Sequence, residues 1–179
     1  MQDNLSLNRY REFERAGPLG QCPPGWTWDK LMELALEQAF DAMTQGDIPV
    51  GAVLADRDGK ILARAGNRVE RDSDPSAHAE ILALREGARA LGPRNLAGCV
   101  LVATLEPCLM CAGAIALARV SGVVFGAADA RAGCLVSAAD QETLPLAGRS
   151  FWHLGGIRAG DCARLLQDFF SNRRKQAAT

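Results

Sequence analysis

The chain has 179 residues, of which 48% are hydrophobic and 23% charged, a balance typical of one soluble globular domain. This composition excludes disordered, fibrous and membrane-spanning classes. Twenty basic and 21 acidic side chains leave a net charge of -1, which argues against a nucleic-acid binder held by overall charge but still allows a local basic patch. The first thirty residues hold no unbroken apolar run, so we expect a cytoplasmic protein with no membrane partner.

The cysteine and histidine content limits the chemistry available to this chain. At this length a core forms without disulfide staples, and cysteines in a reducing compartment are metal ligands, catalytic groups or small core residues more often than disulfides. The six cysteines are Cys22, Cys99, Cys108, Cys111, Cys134 and Cys162. The chain has only two histidines, His78 and His153, which limits any metal-binding or acid-base scheme.

The N-terminal part divides into an extension and a first helix. Residues 1–24 hold no sustained apolar period and end in a glycine- and proline-rich run, which predicts a poorly structured extension ahead of one domain over residues 25–179. A helix is predicted from Thr27, as N-cap, to Gly46. Its predicted core-facing residues are Met32, Leu36, Ala39, Phe40 and Met43.

The remainder alternates strands with helices. Residues 50–55 and 60–64 flank a glycine turn and predict a hairpin, and a helix is expected from Pro75 to Leu91 with Asp74 or Ser76 as cap. Further elements are predicted as a buried strand at 99–105, a short helix at 108–118, a strand at 120–126, a weaker strand at 151–158 and a closing helix marked by Leu165, Leu166 and Phe169. This order predicts a layered α/β domain with helices on both faces of one sheet.

Two short motifs, each at the start of a predicted helix, carry the chemistry. Cys108 and Cys111 are three residues apart, so on a helix they share one face, and the helix N-terminus favours the thiolate form. Together with His78 they form a set of two thiolates and one imidazole that suits Zn²⁺. Three protein ligands leave the fourth tetrahedral position to water, which is typical of a catalytic site.

Glu80 is the candidate acid-base group beside that water. In the middle of a helix, His78 and Glu80 would point about 200° apart, because they are two residues apart. Their convergence therefore requires that both lie in the first turn, where side chains can bend toward a point beyond the helix end.

Other interpretations of these residues remain open. A Cys-x-x-Cys pair alone also occurs in redox sites, structural zinc sites and packed cores. A structural zinc would need a fourth ligand, for which Cys134 is the candidate, whereas Cys99 and Cys162 fit packed core positions. Glu80 alone would be a solvated residue near a helix start, and only the combined pattern favours catalysis.

The combined residues resemble the zinc-dependent nucleoside and nucleobase deaminases, whose signature is His-x-Glu followed by Pro-Cys-x-x-Cys. The likeness covers residues 26–175 and is similar to the tRNA adenosine deaminase branch. The segments that carry it are residues 48–53, 67–68, 74–81, 104–114 and 123–127, and in the closing helix Cys162, Leu165, Leu166, Phe169, Phe170, Arg173 and Arg174.

This resemblance implies a cytidine deaminase-like three-layer α/β/α sandwich with a five-stranded mixed sheet, and a homodimer that converts adenosine to inosine at the anticodon wobble position of tRNA. It implies one Zn²⁺ per subunit, with a bound water or hydroxide, held by His78, Cys108 and Cys111, while Glu80 moves protons. The substrate-binding residues that it implies are Asn67, Ala79, Pro49, Val50, Asp129, Phe170, Arg173 and Arg174.

The sequence also departs from the family pattern, and two other functions remain open. Ala128 replaces a basic residue, and residues 147–150 replace an Asn-His-Arg motif. By residue type alone, Phe170 also fits a core position, and Arg173 and Arg174 fit solvated helix-end charges. The alternative functions are a deaminase of a free base or nucleotide, such as guanine or a cytidine compound, and a non-catalytic zinc-stabilised interaction module with a closed metal shell.

Overall fold

The computed structural model describes residues 20–92, 95–139 and 151–177. Residues 1–19 of the predicted extension and the whole 147–150 departure therefore lie outside the described residues. The helices of the described chain are α1 (Trp28–Thr44), α2 (Val69–Asp72), α3 (Ala79–Leu91), α4 (Leu109–Ala118) and α5 (Ala159–Ala177). The strands are β1 (Gly51–Ala55), β2 (Ile61–Gly66), β3 (Val100–Leu105), β4 (Gly122–Ala127) and β5 (Trp152–Leu154).

The five strands form one mixed sheet in the order β2-β1-β3-β4-β5. β1 runs antiparallel to both β2 and β3, whereas β4 runs parallel to both β3 and β5. The turn between β1 and β2 closes on Asp56, whose carboxylate accepts the backbone N–H groups of Asp58 and Lys60. The predicted hairpin and the predicted five-stranded mixed sheet are both confirmed.

Side chains of the central strands alternate between two cores, as the two-residue period of a strand requires. One core lies under α3 and α4 and includes Leu54, Leu101 and Phe125, and the other lies under α1 and α5 and includes Val53, Val102 and Val124. Helices therefore cover both faces of the sheet, and the three-layer prediction is confirmed. In the described part of the chain, no helix has the length and apolar content to span a membrane.

The first helix begins where the sequence predicts, and Met32 and Ala39 are buried as predicted, but the buried face is rotated away from Phe40. Thr27 is the N-cap, and its hydroxyl accepts the Lys30 N–H at 3.3 Å. Phe40, predicted to face the core, is 53% exposed, so that prediction is wrong. Around Ala35 the helix lies so close to the sheet that a Cβ at Gly51 would overlap the Ala35 carbonyl, so only small side chains fit at this point of the contact. The buried face consists of Leu31, Met32, Ala35, Ala39 and Ala42.

Two other boundaries differ from prediction. The helix expected from Pro75 begins instead at Ala79, because Asp74 accepts the N–H and hydroxyl of Ser76 and forms a separate turn. The short α2 precedes that turn and was not predicted. The last strand covers Trp152–Leu154 rather than all of residues 151–158.

Near the start of the described chain, the Trp26 indole N–H donates to the Gly59 carbonyl at 2.7 Å.

Candidate active site

Three potential metal ligands meet where α3 and α4 begin. His78 is the N-cap of α3, Cys108 is the N-cap of α4, and Cys111 lies in the first turn of α4. The Nδ1 atom of His78 lies 3.5 Å from the Cys111 sulfur and 3.7 Å from the Cys108 sulfur. All three ligand atoms lie within 4.8 Å of one another. The structure therefore brings together the three residues that the sequence selected.

The distances among these atoms fit a zinc ion. Tetrahedral Zn²⁺ binds sulfur at about 2.3 Å and nitrogen at about 2.1 Å, which places a sulfur and a nitrogen ligand about 3.6 Å apart. Within the described ranges, the ligand group has three members and no fourth. Cys134, the candidate for a closed shell, is not a member, and its thiol donates to the Ala132 carbonyl at 3.3 Å. The arrangement fits the open shell of a catalytic site rather than the closed shell of a structural zinc site.

The contact between the two cysteines acts in opposite directions on them: it stabilises the thiolate of Cys108 and raises the pKa of the Cys111 thiol. A hydrogen bond from Cys111 lowers the pKa of the Cys108 thiol from 9.0 to about 4, and His78 acts in the same direction. The same contact with Cys108 raises the pKa of the His78 imidazole. Because metals bind the thiolate form of cysteine, a thiol whose pKa lies this low is prepared for coordination.

Glu80 lies beside the ligands and is almost fully enclosed. It is 3% exposed, and its Oε2 atom has no hydrogen-bond partner among the described residues. Burial raises the pKa of its carboxyl group, and it interacts electrostatically with His78 and Cys108. Glu80 follows the N-cap of α3 by two residues, so the convergence that the spacing requires does occur at the helix start. A buried carboxyl group whose pKa is raised in this way can take up a proton and return it.

The residues expected to bind the substrate base lie close to the same helix start. The Asn67 N–H donates to the Val50 carbonyl at 2.8 Å, which joins Asn67 to the segment after Pro49. The next residue along, Arg68, donates its N–H to the carbonyl of Ala77 at 3.0 Å. Ala79 is fully buried in the first turn of α3, where backbone N–H groups have no partner within the helix. Its N–H is therefore available to a ligand.

The residues expected to touch RNA lie on more exposed parts of the chain. The Asp129 carboxylate accepts the N–H groups of Arg131 and Ala132 and so shapes its own loop. Phe170 is 40% exposed and stacks edge-on against Phe169, with ring centroids 5.4 Å apart. Arg173 and Arg174, one turn further along the helix, are also exposed. Arg173 lies over the Phe169 ring, and Arg174 donates to the Ser171 hydroxyl at 3.2 Å. Phe170 therefore does not occupy the core position that its residue type also allowed.

Two buried carboxylates near the site were missed by the sequence analysis. Asp47 is fully buried, accepts the Asn67 amide at 3.3 Å, and also accepts the N–H groups of Glu70 and Arg71. Glu106 is 2% exposed and lies two residues before Cys108. Both residues could have been noticed because each lies directly beside a predicted buried element. An acidic residue is rarely buried without partners, so its presence there indicates a buried hydrogen-bond network.

Comparison with known proteins identifies the family. The family model of the cytidine and deoxycytidylate deaminase zinc-binding region matches residues 27–127, more than half of the chain. The chain belongs to the cytidine and deoxycytidylate deaminase family. The matched region contains all three ligands and Glu80, and the donor set and spacing described above fit the zinc ion that the family binds.

Several relatives carry more specific names. The chain is 40% identical to a tRNA-specific adenosine deaminase of Haemophilus influenzae, over 83% of this chain and 86% of that protein. It is 44% identical over 80% of its length to a tRNA(Ile)-lysidine synthase of Deinococcus radiodurans, of which it spans only 25%. A solved structure from work on A-to-I editing by tRNA:A34 deaminases superimposes with a TM-score of 0.73 at 39% identity, covering 76% of this chain and 99% of that one.

Proposed function

We propose that this chain is a zinc-dependent hydrolase that converts adenosine to inosine at the wobble position of a tRNA anticodon. The observation that carries the proposal is the open group of His78, Cys108 and Cys111 with the buried carboxylate of Glu80 beside it. The tRNA substrate is supported by identity near 40% to tRNA-specific adenosine deaminases over most of the chain. The proposal assigns this activity to one domain, residues 25–179, in the cytoplasm.

His78, Cys108 and Cys111 would hold one zinc ion per subunit. Such an ion supplies Lewis acidity that lowers the pKa of water to about 7. Glu80 accepts a proton from the attacking water at Oε2, the oxygen that has no hydrogen-bond partner among the described residues. The C–O bond forms at C6 of the adenine base while one water proton passes to N1, and Glu80 delivers the second water proton to the amino group as the C–N bond breaks and ammonia leaves.

The surrounding residues would hold the base in place. Asn67 offers a side-chain amide next to Pro49 and Val50. The Nδ2 atom of that amide donates to the Asp47 carboxylate, which fixes the orientation of the amide. The Ala79 N–H, which has no acceptor within its own helix, is a donor for the base edge, because helix N-termini favour acceptors and negative charge. Since a base in a stacked loop cannot reach this enclosed site, the nucleoside must swing out of the stack to bind.

We further propose that the chain forms a homodimer through α4. Leu109, Met110 and Leu117 are 57%, 39% and 65% exposed, and α4 contains no charged residue. Met110 and Leu117 are seven residues apart and so share one face. An apolar face of this kind fits a second copy of itself about a two-fold axis. Leu117→Glu should give a monomer by sedimentation velocity, and an unchanged dimer would contradict the α4 interface.

The decisive experiment measures inosine formation on a tRNA anticodon stem-loop that carries adenosine at the wobble position. Ammonia release from free adenosine, guanine and cytidine is measured in parallel with the same zinc-loaded preparation. We expect inosine in the stem-loop and negligible ammonia from the small molecules. Ammonia from guanine or cytidine together with an unmodified stem-loop would instead establish the free-base alternative.

Glu80→Ala serves as the control for catalysis in each assay. If the activity arises at this site, the variant loses turnover on whichever substrate the wild-type protein uses. Zinc bound without any turnover in the wild-type protein would support the third function that the sequence left open, a zinc-stabilised interaction module.

A further inference from the structure

Glu106 occupies an unusual position for a charged residue. It lies directly after β3, is 2% exposed, and has no role in the chemistry proposed above. Both of its carboxylate oxygens nevertheless have partners. Oε1 accepts the N–H groups of Leu135, Val136 and Ser137 at 3.0, 2.8 and 3.0 Å. Oε2 accepts the Asp129 N–H at 3.1 Å and the Ser137 hydroxyl.

All five contacts come from one short segment, residues 129–137, which we call the Glu106 loop. Four of its backbone N–H groups point to a single carboxylate, so the conformation of the loop depends on that side chain. A buried carboxylate with this many donors is stable only while they remain in place, because an unpaired buried charge is costly. The loop and Glu106 therefore fix each other.

The Glu106 loop also contacts the backbone that carries a metal ligand. The Cys134 N–H donates to the Pro107 carbonyl at 3.0 Å, and Cys108 and Gly133 form an isolated antiparallel bridge. The approach is close enough that a Cβ at Gly133 would overlap the Glu106 carboxylate. The loop thus lies against Cys108 from outside the ligand group.

We propose that Glu106 is a positioning residue that fastens the Glu106 loop onto the Pro107–Cys108 backbone and thereby slows loss of the metal from the His78, Cys108 and Cys111 group. The described hydrogen bonds of the Glu106 side chain are all with the Glu106 loop and not with the side chains of the three ligands. It acts by holding the joint between β3 and α4 in the conformation that directs Cys108 toward His78. This inference rests on the proposed metal site.

The test measures zinc release from loaded full-length protein into excess chelator. Glu106→Gln replaces one acceptor oxygen by an N–H donor and should release zinc about tenfold faster, the lower end of the effect of outer partners on metal sites. Gly133→Ala leaves Glu106 in place but displaces its loop, and it should accelerate release in the same way. A rate equal to that of the wild-type protein in both variants would overturn the proposal.

Asp47→Asn is the matched control. Asp47 is also fully buried and accepts two backbone N–H groups, but its partners are α2 residues and Asn67 rather than the Glu106 loop. We expect it to lower the melting temperature while leaving the zinc release rate unchanged. If Asp47→Asn and Glu106→Gln accelerate release equally, Glu106 acts only through general stability and the proposal is wrong.

A third variant keeps the test decisive if Glu106→Gln does not fold. Ser137→Ala removes the hydroxyl donor but keeps the Ser137 N–H, so it should release zinc faster than wild type by a smaller factor than Gly133→Ala. The visible spectrum of the Co²⁺-loaded variants reports the ligand geometry directly, and we expect it to change in the same order. Failure of the wild-type protein to bind zinc would overturn the metal site itself, which separates that outcome from failure of this inference.

Discussion

The two regions of this molecule that the proposed function uses differ in how far their side chains are buried. The starts of α3 and α4 carry His78, Glu80, Cys108 and Cys111 as half-buried or buried groups that lie within reach of one another. The last turns of α5 carry Phe170, Arg173 and Arg174 as exposed side chains, and the ring contacts and hydrogen bond described for them are with other α5 residues.

This contrast indicates how strongly activity or RNA binding should depend on a single residue in each region. Groups removed from water interact strongly, and loss of one leaves its buried partners uncompensated. Exposed arginines interact with charged partners through solvent and are screened by salt. Each therefore adds only a small amount to the free energy of binding. The chemistry should therefore depend sharply on single residues, whereas RNA contact at the α5 end should depend gradually on several.

The largest effect is expected at a metal ligand. Cys111→Ala should lose zinc and all turnover, and its melting temperature should fall because metal binding adds to folding stability. Metal content by elemental analysis and a thermal melt check both points. Cys162→Ala, which changes a buried cysteine on the opposite face of the sheet, should lose some stability but keep its zinc. Loss of zinc in both variants would show that the ligand group has no special role.

The next largest effect is expected at Glu80. Glu80→Ala should lower kcat by about 10²–10⁴-fold or more, because general acid-base catalysis typically supplies that much. Its zinc content should equal that of the wild-type protein, since Glu80 is not a member of the ligand group. Single-turnover kinetics with metal analysis would measure both quantities. A metal-free Glu80→Ala protein would contradict the non-ligand role.

A smaller effect is expected at the exposed end. Arg174→Ala should raise KM for the stem-loop and reduce the slope of log affinity against log salt by about 1, the value for one phosphate contact. Its kcat and zinc content should not change. Arg89→Ala also removes an exposed charge, from the last turn of α3 and 11 residues after His78, and should leave the slope unaltered. Equal slopes for both variants would remove Arg174 from the RNA surface.

The smallest effect is expected for the stability contribution of Phe170. Phe170→Ala should lower the free energy of unfolding by about 1 kcal/mol or less, because the ring is 40% exposed and its described ring contact is with Phe169. Phe125→Ala, at a fully buried position beneath α3 and α4, should lower it by about 3–5 kcal/mol. Urea titrations of both variants measure the difference, and equal losses would mean that the α5 end is packed rather than exposed.

The sequence by itself determined the ligand set, the hairpin and the layered sheet. Zinc coordination restricts the residue types, and a spacing of three residues at a helix start restricts the geometry, so His78, Cys108 and Cys111 were recognisable without coordinates. The strands were recognisable because alternation and β-branched runs are local properties of the chain. The Thr27 cap was likewise a local signal that the structure confirms.

Only the tertiary structure decided the remaining features, because each depends on a neighbour that is distant in sequence. Phe40 is exposed because α1 lies on the glycines of β1 and β2, which the helix pattern alone does not reveal. Glu106 and its loop are about 30 residues apart, and Asp47 meets Asn67 across 20 residues. A buried carboxylate is stable only when folding brings donors to it, so its role becomes visible only after the chain has folded.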